Sequence, residues 1–278
     1  MKKHMLIAAF VVSAFVTQAQ VKMPQPSPTT NIKQDFGTGQ IELTYSRPSL
    51  RGRAVFGDNT PLAPIGKVWR TGANAATLIH FTDPVTIGTT KIDSGSYVIY
   101  TVPGSSEWEV IFNKGLKNWG ADGYKESDDV VKMKVPSFNM NENLETFTML
   151  FGDLKDESCN LFLLWGSTGV AIPISTNVVE KVRGQIEAAM KTDKKPYWDA
   201  ARFYYEYDKN YPKALENVNS ALASNPDAFW MYLMKARIQK EMKDSNGAKA
   251  SATKCVEAAT KAKNDEYVKM ANELIKTL

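Results

Sequence analysis

The sequence predicts a chain of two folded parts, an antiparallel β-sandwich followed by a region of helical repeats. Hydrophobic residues recur with a period of two between residues 32 and 175. From residue 177 onward the composition changes to Ala, Lys, Glu and Met, which favour helices. With 278 residues, of which 43% are hydrophobic, the chain is long enough for two modest domains that each bury a core.

Residues 1–19 have the features of a secretory signal peptide. Lys2 and Lys3 supply the positive start, and residues 5–16 form an apolar run that is too short to span a bilayer well. Small residues precede the next junction, so we predict cleavage after Ala19 and export to the periplasm or the cell exterior. No later stretch is long and apolar enough for a membrane helix, so we expect a protein that is not an integral membrane protein.

The sandwich is predicted over residues 32–175, after an extended, proline-containing lead-in over residues 20–31. Residues 40–46 are predicted to form a strand with one buried face, because Ile41, Leu43 and Tyr45 alternate with polar residues. Turn signals rich in glycine separate further short runs of β-branched and aromatic residues, as in antiparallel all-β folds. These runs predict strands at residues 76–82, 96–102, 108–113, 130–136, 145–151, 160–166 and 170–175.

The second domain is predicted to be helical over residues 176–278. Thr176 or Asn177 can cap a first helix that runs to about residue 191, because both side chains can accept a hydrogen bond from a free helix amide. Residues 265–277 form a second clear pattern, with one apolar stripe and polar residues elsewhere, and predict a helix at the end of the chain.

An internal repeat of 34 residues lies between these two helices. Ala214 and Ala248 are separated by this spacing, and small residues at such positions let paired helices approach closely. The pairs Ala221 with Cys255 and Trp198 with Tyr232 have the same spacing. The pattern resembles the tetratricopeptide repeat, and this resemblance implies two repeats, over about residues 195–228 and 229–262, followed by a capping helix.

Composition and motifs narrow the classes of function. The net charge of +4 is small and mixed in sign, so we expect no nucleic-acid partner. The sequence has no catalytic signature and no cofactor-binding glycine loop, so we expect no cofactor and assign no catalytic residue. Removal of the signal peptide leaves His80 as the single histidine, and Cys159 and Cys255 are expected to be packed free thiols, so no metal site is predicted.

Arginines are crowded into the segment S-R-P-S-L-R-G-R at residues 46–53, directly after a predicted strand. A second segment, G-K-V-W-R-T-G-A-N at residues 66–74, adds another arginine. Together with T-V-P-G at residues 101–104 and W-E-V-I-F-N-K at residues 108–114, these segments resemble a family of secreted bacterial proteins with a domain of unknown function. The resemblance covers roughly residues 36–175. It implies a secreted domain that is often followed by helical repeats, and it implies no activity.

The arginine-rich segments also provide the candidate ligand site. Guanidinium groups bind carboxylates and phosphates through paired hydrogen bonds, and they stack on aromatic rings. The alternative is structural, with the same arginines holding a long loop to the sheet by bonding its carbonyl and carboxylate groups. The candidate ligand-binding residues are Arg47, Arg51, Arg53, Trp69, Arg70, Asn74 and Trp119.

These observations predict an exported binding or scaffold protein whose helical repeats hold a peptide or protein partner. Two alternatives stay open. In the first, the sandwich binds a carboxylated, phosphorylated or glycan ligand through its Arg/Trp loop. In the second, the protein is a hydrolase that works in the same loop. The loop over residues 46–74 is a poor match for hydrolysis, because Asp58 is its only acid.

Overall fold

The computed structural model describes residues 23–57 and 62–278. The predicted signal peptide, its cleavage point after Ala19 and the first residues of the lead-in lie outside the described residues. In the described part of the chain, nine antiparallel strands precede six helices, which confirms the predicted order of β then α.

The strands are β1 (Thr29–Phe36), β2 (Gly39–Ser46), β3 (Thr77–Phe81), β4 (Val85–Ile87), β5 (Thr90–Ile92), β6 (Gly95–Val102), β7 (Glu107–Asn113), β8 (Asp129–Gly152) and β9 (Ser158–Ser175). The helices are α1 (Val178–Ala189), α2 (Tyr197–Glu206), α3 (Tyr211–Ser224), α4 (Phe229–Glu241), α5 (Ser245–Lys261) and α6 (Asp265–Ile275).

The strands form one sheet in the order β1-β2-β3-β6-β7-β8-β9-β4-β5. Strand β8 belongs to both halves of this sheet, because its first part pairs with β7 and its second part pairs with β9. The change of partner occurs between Pro136, which lies opposite Glu107, and Ser137, which lies opposite Val170. The pairing of β8 with β9 then shifts register twice, and such bulges bend and twist a strand.

One hydrophobic core lies between the two halves of the sheet. Ile41, Leu43 and Tyr45 of β2 are buried in it, as their alternation predicts, and Phe147 of β8 packs in the same cluster. The Tyr45 hydroxyl donates to the carbonyl of Met149 at 3.2 Å and accepts from its amide at 2.8 Å. Strands β2 and β8 therefore face each other across the core, although they are not neighbours in the sheet.

The beginning of the sheet differs from the sequence prediction. The extended lead-in was expected over residues 20–31, but β1 starts at Thr29 and pairs along its whole length with β2. Strand β1 buries only Phe36, so its sequence lacks the strong alternation that identifies β2. The short strands β4 and β5 were also not predicted, because three residues cannot show a period of two.

Strands β8 and β9 are longer than the sequence predicts. The predicted strands at residues 130–136 and 145–151 are parts of β8, and those at residues 160–166 and 170–175 are parts of β9. The turn signal between the last two runs follows Gly166, which has a φ of 58° inside a continuous strand. This glycine produces a kink in the strand rather than a turn between two strands.

Helix α1 begins against the sheet and ends at Ala189, slightly before the predicted residue 191. Glu157 accepts hydrogen bonds from the first two amides of α1, at 2.7 and 3.1 Å, and Asn177 caps the helix as predicted. Lys181 forms an ion pair with Asp83 of the sheet at 2.6 Å. These contacts attach the first helix to the β region.

Helices α2 to α6 each pack on the next, and α4 also contacts α6. Ala214, Ala248 and Cys255 are fully buried between helices. One apolar cluster joins α1 to α4 and a second joins α4 to α6, and both are separate from the core of the sheet. No helix in the described ranges is both long enough and apolar enough to cross a membrane.

Candidate functional site

The loop that connects β2 to β3 begins with an arginine that is bound to the sheet. Arg47 Nε donates to the carbonyl of Phe147 at 3.1 Å, and Arg47 Nη2 donates to the hydroxyl of Thr148 at 2.8 Å. Both partners belong to β8, in the other half of the sheet. Arg47 therefore links the two halves, as the structural alternative for these arginines describes.

The next two arginines are exposed and use only part of their hydrogen-bonding capacity. Arg53 donates from Nε to the carbonyl of Leu50 and from Nη2 to that of Ser49, both at 2.9 Å. Arg51 donates from Nη2 to the carbonyl of Pro26 in the lead-in at 3.2 Å. Since a guanidinium group carries five N–H donors, both side chains keep donors that can reach a ligand.

Arg70 differs from the other arginines because its Nε is buried and has no hydrogen-bond partner. Its Nη1 lies against the backbone of Gly120, where a Cβ atom would be only 2.9 Å away. Gly120 has a φ of 70°, so the lack of a side chain both permits this conformation and makes room for the guanidinium group. A buried donor without an acceptor is uncommon in folded proteins and needs a physical reason.

Arg51, Arg53 and Arg70 line one cavity of about 280 Å³, which we call the arginine cavity. No carboxylate of the described residues forms an ion pair with any of the three guanidinium groups. The Glu145 carboxylate lies nearby and accepts a hydrogen bond from the Arg51 amide at 2.8 Å, but none of the three guanidinium groups is ion-paired within the described part of the chain. The other lining residues of the arginine cavity are Pro26, Ser27, Pro48, Ser49, Leu62, Gly72 and Ala73.

Strained backbone holds Arg70 and its neighbours in place. Thr71 is fully buried and has a φ of 55°, which is rare for a β-branched residue. Its carbonyl accepts a hydrogen bond from the Thr77 hydroxyl at 2.5 Å, and its own hydroxyl lies 3.1 Å from that of Thr101. Gly72 follows with a φ of 151°, and a Cβ atom there would lie 2.9 Å from the carbonyl oxygen of Ser46. Such strain is concentrated at functional sites in proteins.

A second cavity, of about 350 Å³, lies next to the first and is lined by Trp119 and Asn74. We call it the tryptophan cavity. Trp119 is 69% exposed, and its backbone forms a bridge with Ala75. Asn74 Nδ2 donates to the carbonyl of Ser27 and to the hydroxyl of Ser46, both at 3.2 Å. Pro26 lines both cavities, so the lead-in runs between them.

Trp69 is a candidate residue that lines neither cavity. It is only 4% exposed and belongs to the sheet core, where it stacks on Trp165 at 5.8 Å and lies edge-on to Phe147 at 5.2 Å. The structure therefore brings Arg51, Arg53 and Arg70 to one cavity, places Asn74 and Trp119 at the other, and directs Arg47 and Trp69 elsewhere.

Two lining features were not among the candidates from the sequence. Pro26 belongs to the lead-in, whose sequence gives no sign that it reaches the arginines. Gly72 stands inside the T-G-A-N segment, and a glycine within a predicted loop was the available signal for an unusual backbone.

The remaining chemically active residues lie outside both cavities. Nδ1 of His80, on β3, lies 2.9 Å from the hydroxyl of Ser96, on β6. Glu42, on β2, is the residue paired with His80 on the other side. Burial raises the pKa of the Cys159 thiol to about 11, and burial also raises that of Cys255 to about 11. Both side chains are therefore protonated and weakly nucleophilic near neutral pH. Within the described ranges, no three His, Cys, Asp or Glu side chains are grouped as metal ligands.

A family model with the description "Protein of unknown function (DUF2911)" matches residues 27–174. This is more than half of the chain. The chain belongs to this family. The DUF2911 region contains all nine described strands except Ser175 at the end of β9, and it contains the lining of both cavities except Gln25 and Pro26, so it corresponds to the sheet and its loops. Comparisons with curated proteins and with solved structures find no match to the chain.

The helices follow the DUF2911 region and carry a surface of their own. Tyr205 of α2 lies close to Arg237 and Glu241 of α4, and Lys209 Nζ is 5.9 Å from the centre of its ring. Burial raises the pKa of Tyr205, and the charge of Glu241 acts in the same direction. We call these four residues the α2–α4 surface.

Two features of the helical backbone are separated by 34 residues. Lys209 and Lys243 both have positive φ, of 54° and 62°, and they are 34 residues apart. The residues that follow them, Asn210 and Asp244, cap α3 and α5 by accepting a hydrogen bond from an amide of the first turn. A residue with positive φ followed by an Asn or Asp cap therefore precedes both α3 and α5, and Lys263 and Asn264 precede α6 in the same way.

Proposed function

We propose that this chain is an exported binding protein whose helices hold a protein partner. In this proposal, helices α2 to α5 form two tetratricopeptide-like repeats, over about residues 195–228 and 229–262, and α6 caps them. The observation that carries the proposal is the spacing of 34 residues that separates the helix caps Asn210 and Asp244, and likewise the buried Ala214 and Ala248, because tetratricopeptide repeats have this length.

The packing between helices supports a repeat. Ala214 and Ala248, which occupy equivalent positions, are both 0% exposed. Helix α4 contacts α5 within its own repeat and α6 in the next unit, which is how stacked helical repeats bury a continuous core. Since two repeats alone give a small core, α1 and α6 complete it on either side.

The α2–α4 surface is the proposed contact surface for the partner. It combines one aromatic ring with charges of both signs, from Tyr205, Lys209, Arg237 and Glu241. Tyrosine and arginine are among the side chains that are enriched where proteins bind each other. Mixed charge favours a peptide or protein segment over a highly charged polymer.

The test uses a photoreactive amino acid placed at Arg237 in the full chain, in the cells that export it. We expect one discrete protein adduct after irradiation. The matched control carries the same amino acid at Lys249, an exposed residue of α5 that lies outside the α2–α4 surface. Adducts of the same size and yield from both positions, or none from Arg237, would contradict partner binding at this surface.

Export is tested separately by the mass of the purified natural protein. If the signal peptide is removed after Ala19, the chain begins at Gln20, which can cyclise. A mass that includes residues 1–19 would disprove the export part of the proposal and leave the helical part standing.

A further inference from the structure

We infer that the DUF2911 region binds an acidic saccharide, with a carboxylate in the arginine cavity and a sugar ring on Trp119 in the tryptophan cavity. The inference concerns the sheet and its loops, so it does not depend on the helices or on their proposed partner. It names a second binding site in a different part of the chain.

The charge of the arginine cavity selects an anion. Arg51, Arg53 and Arg70 converge on a space of about 280 Å³, and no carboxylate of the described residues pairs with them. Like charges held close together repel each other, and a bound anion removes this repulsion. A guanidinium group binds a carboxylate through two parallel hydrogen bonds, and it can bind a phosphate in the same way, so phosphate serves as a competing probe in the test below.

The protein holds the three arginines in position, but it does not occupy all of their N–H donors. Arg53 is held by two carbonyls of its own turn, and Arg51 by one carbonyl of the lead-in. Arg70 has a buried Nε without an acceptor and follows directly on the core residue Trp69. The strained Thr71 next to Arg70 fixes the direction in which this side chain leaves the backbone. Groups held in this way lose little freedom when a ligand binds.

The tryptophan cavity supplies the second part of the recognition. An indole that is 69% exposed offers an apolar face, and the C–H face of a sugar ring packs well on such a surface. Asn74, Thr44 and Ser46 line the same cavity and can bond to sugar hydroxyls. Pro26 lines both cavities, and Gly120, the neighbour of Trp119, contacts Arg70. A ligand with a carboxylate attached to a ring can therefore reach both parts of the site.

The experiment measures binding to the mature full chain by titration calorimetry. The probes are digalacturonate, the neutral galactose disaccharide and inorganic phosphate. We expect digalacturonate to bind more tightly than either of the other two. Arg70→Gln and Arg51→Gln should each weaken its binding by about tenfold or more, because each removes a charged partner of the carboxylate. Trp119→Ala should weaken binding of digalacturonate and leave the weak binding of phosphate unchanged.

The control variant is Arg202→Gln, an equivalent change at an exposed arginine of α2, and it should bind like the wild type. Melting curves of all variants show whether each is folded. If Arg70→Gln does not fold, the exposed Arg51→Gln decides the outcome. Phosphate binding that is as tight as that of digalacturonate would overturn the saccharide assignment. Binding that is unchanged in both arginine variants, or absent for every probe, would overturn the site as a whole.

Discussion

The arginines of the loop after β2 differ in what their guanidinium groups contact. Arg47 bonds to Phe147 and Thr148 across the core, whereas Arg51 is exposed. We expect Arg47→Ala to lower the free energy of unfolding by about 1–3 kcal/mol, because a partly buried carbonyl loses its donor. Arg51→Ala should change it by no more than about 0.5 kcal/mol. Urea unfolding of both variants tests this, and equal losses would contradict the distinction.

The sequence could predict that these arginines form a group, but not which of them serve the fold. The partner of Arg47 is 100 residues away along the chain, in a strand on the other half of the sheet. The position of Trp69 in the core was equally hidden, because a tryptophan beside an arginine suits both a ligand site and a core. The fold shows that Trp69 belongs to the core, because its ring packs against those of Trp165 and Phe147.

Two glycines give a second prediction at the residue scale. Gly72→Ala should lower the free energy of unfolding by about 1–3 kcal/mol, since it combines a positive φ with a Cβ atom 2.9 Å from the Ser46 carbonyl. Gly184→Ala is the matched control. It lies inside α1 with nothing near the added atom, so it should raise the stability by up to about 1 kcal/mol. Thermal unfolding measures both, and a neutral Gly72→Ala would show that the loop can shift.

At the scale of the elements, the contact between paired helices rests on small residues. Ala214→Leu or Ala248→Leu should lower the free energy of unfolding by about 1–3 kcal/mol, because both sites are 0% exposed and have no room for a larger side chain. Lys249→Leu, on the exposed side of α5, should change it by no more than about 0.5 kcal/mol. Similar losses at all three sites in a denaturant titration would mean that the spacing of 34 residues does not mark the buried contacts.

The elements also show how far local sequence patterns reach. Strands with one buried face, such as β2, were predicted almost to the residue, because alternation reports burial directly. Strand β1 was not predicted, since its pairing with β2 and not a buried face determines it. Strands β8 and β9 were each divided in two, because a glycine or asparagine inside a bulged strand has the same signature as a turn.

At the scale of the whole molecule, the chain consists of two regions with separate cores. The DUF2911 region has one large core between the halves of its sheet, and the helices have two smaller clusters. Few interactions join the regions, and they include the cap that Glu157 provides for α1 and the ion pair of Lys181 with Asp83. A binding event in one region can therefore reach the other through α1 and through Tyr207, directly after α2, whose side chain forms a hydrogen bond with Asp156 between β8 and β9.

This organisation predicts that the two regions unfold separately, and the cysteines can report it. Cys159 lies in the sheet core and Cys255 between helices, and burial raises both thiol pKa values to about 11. At pH 8 the thiols of the folded protein are therefore protonated and inaccessible, whereas unfolding returns each pKa to about 8.5 and allows alkylation.

In short pulses of alkylating reagent at increasing urea, we expect Cys255 to be labelled at a lower urea concentration than Cys159, because the helical clusters bury less apolar surface. Peptide mass spectrometry distinguishes the two sites. Labelling of both at the same urea concentration would show that the contacts between the regions couple them into one cooperative unit.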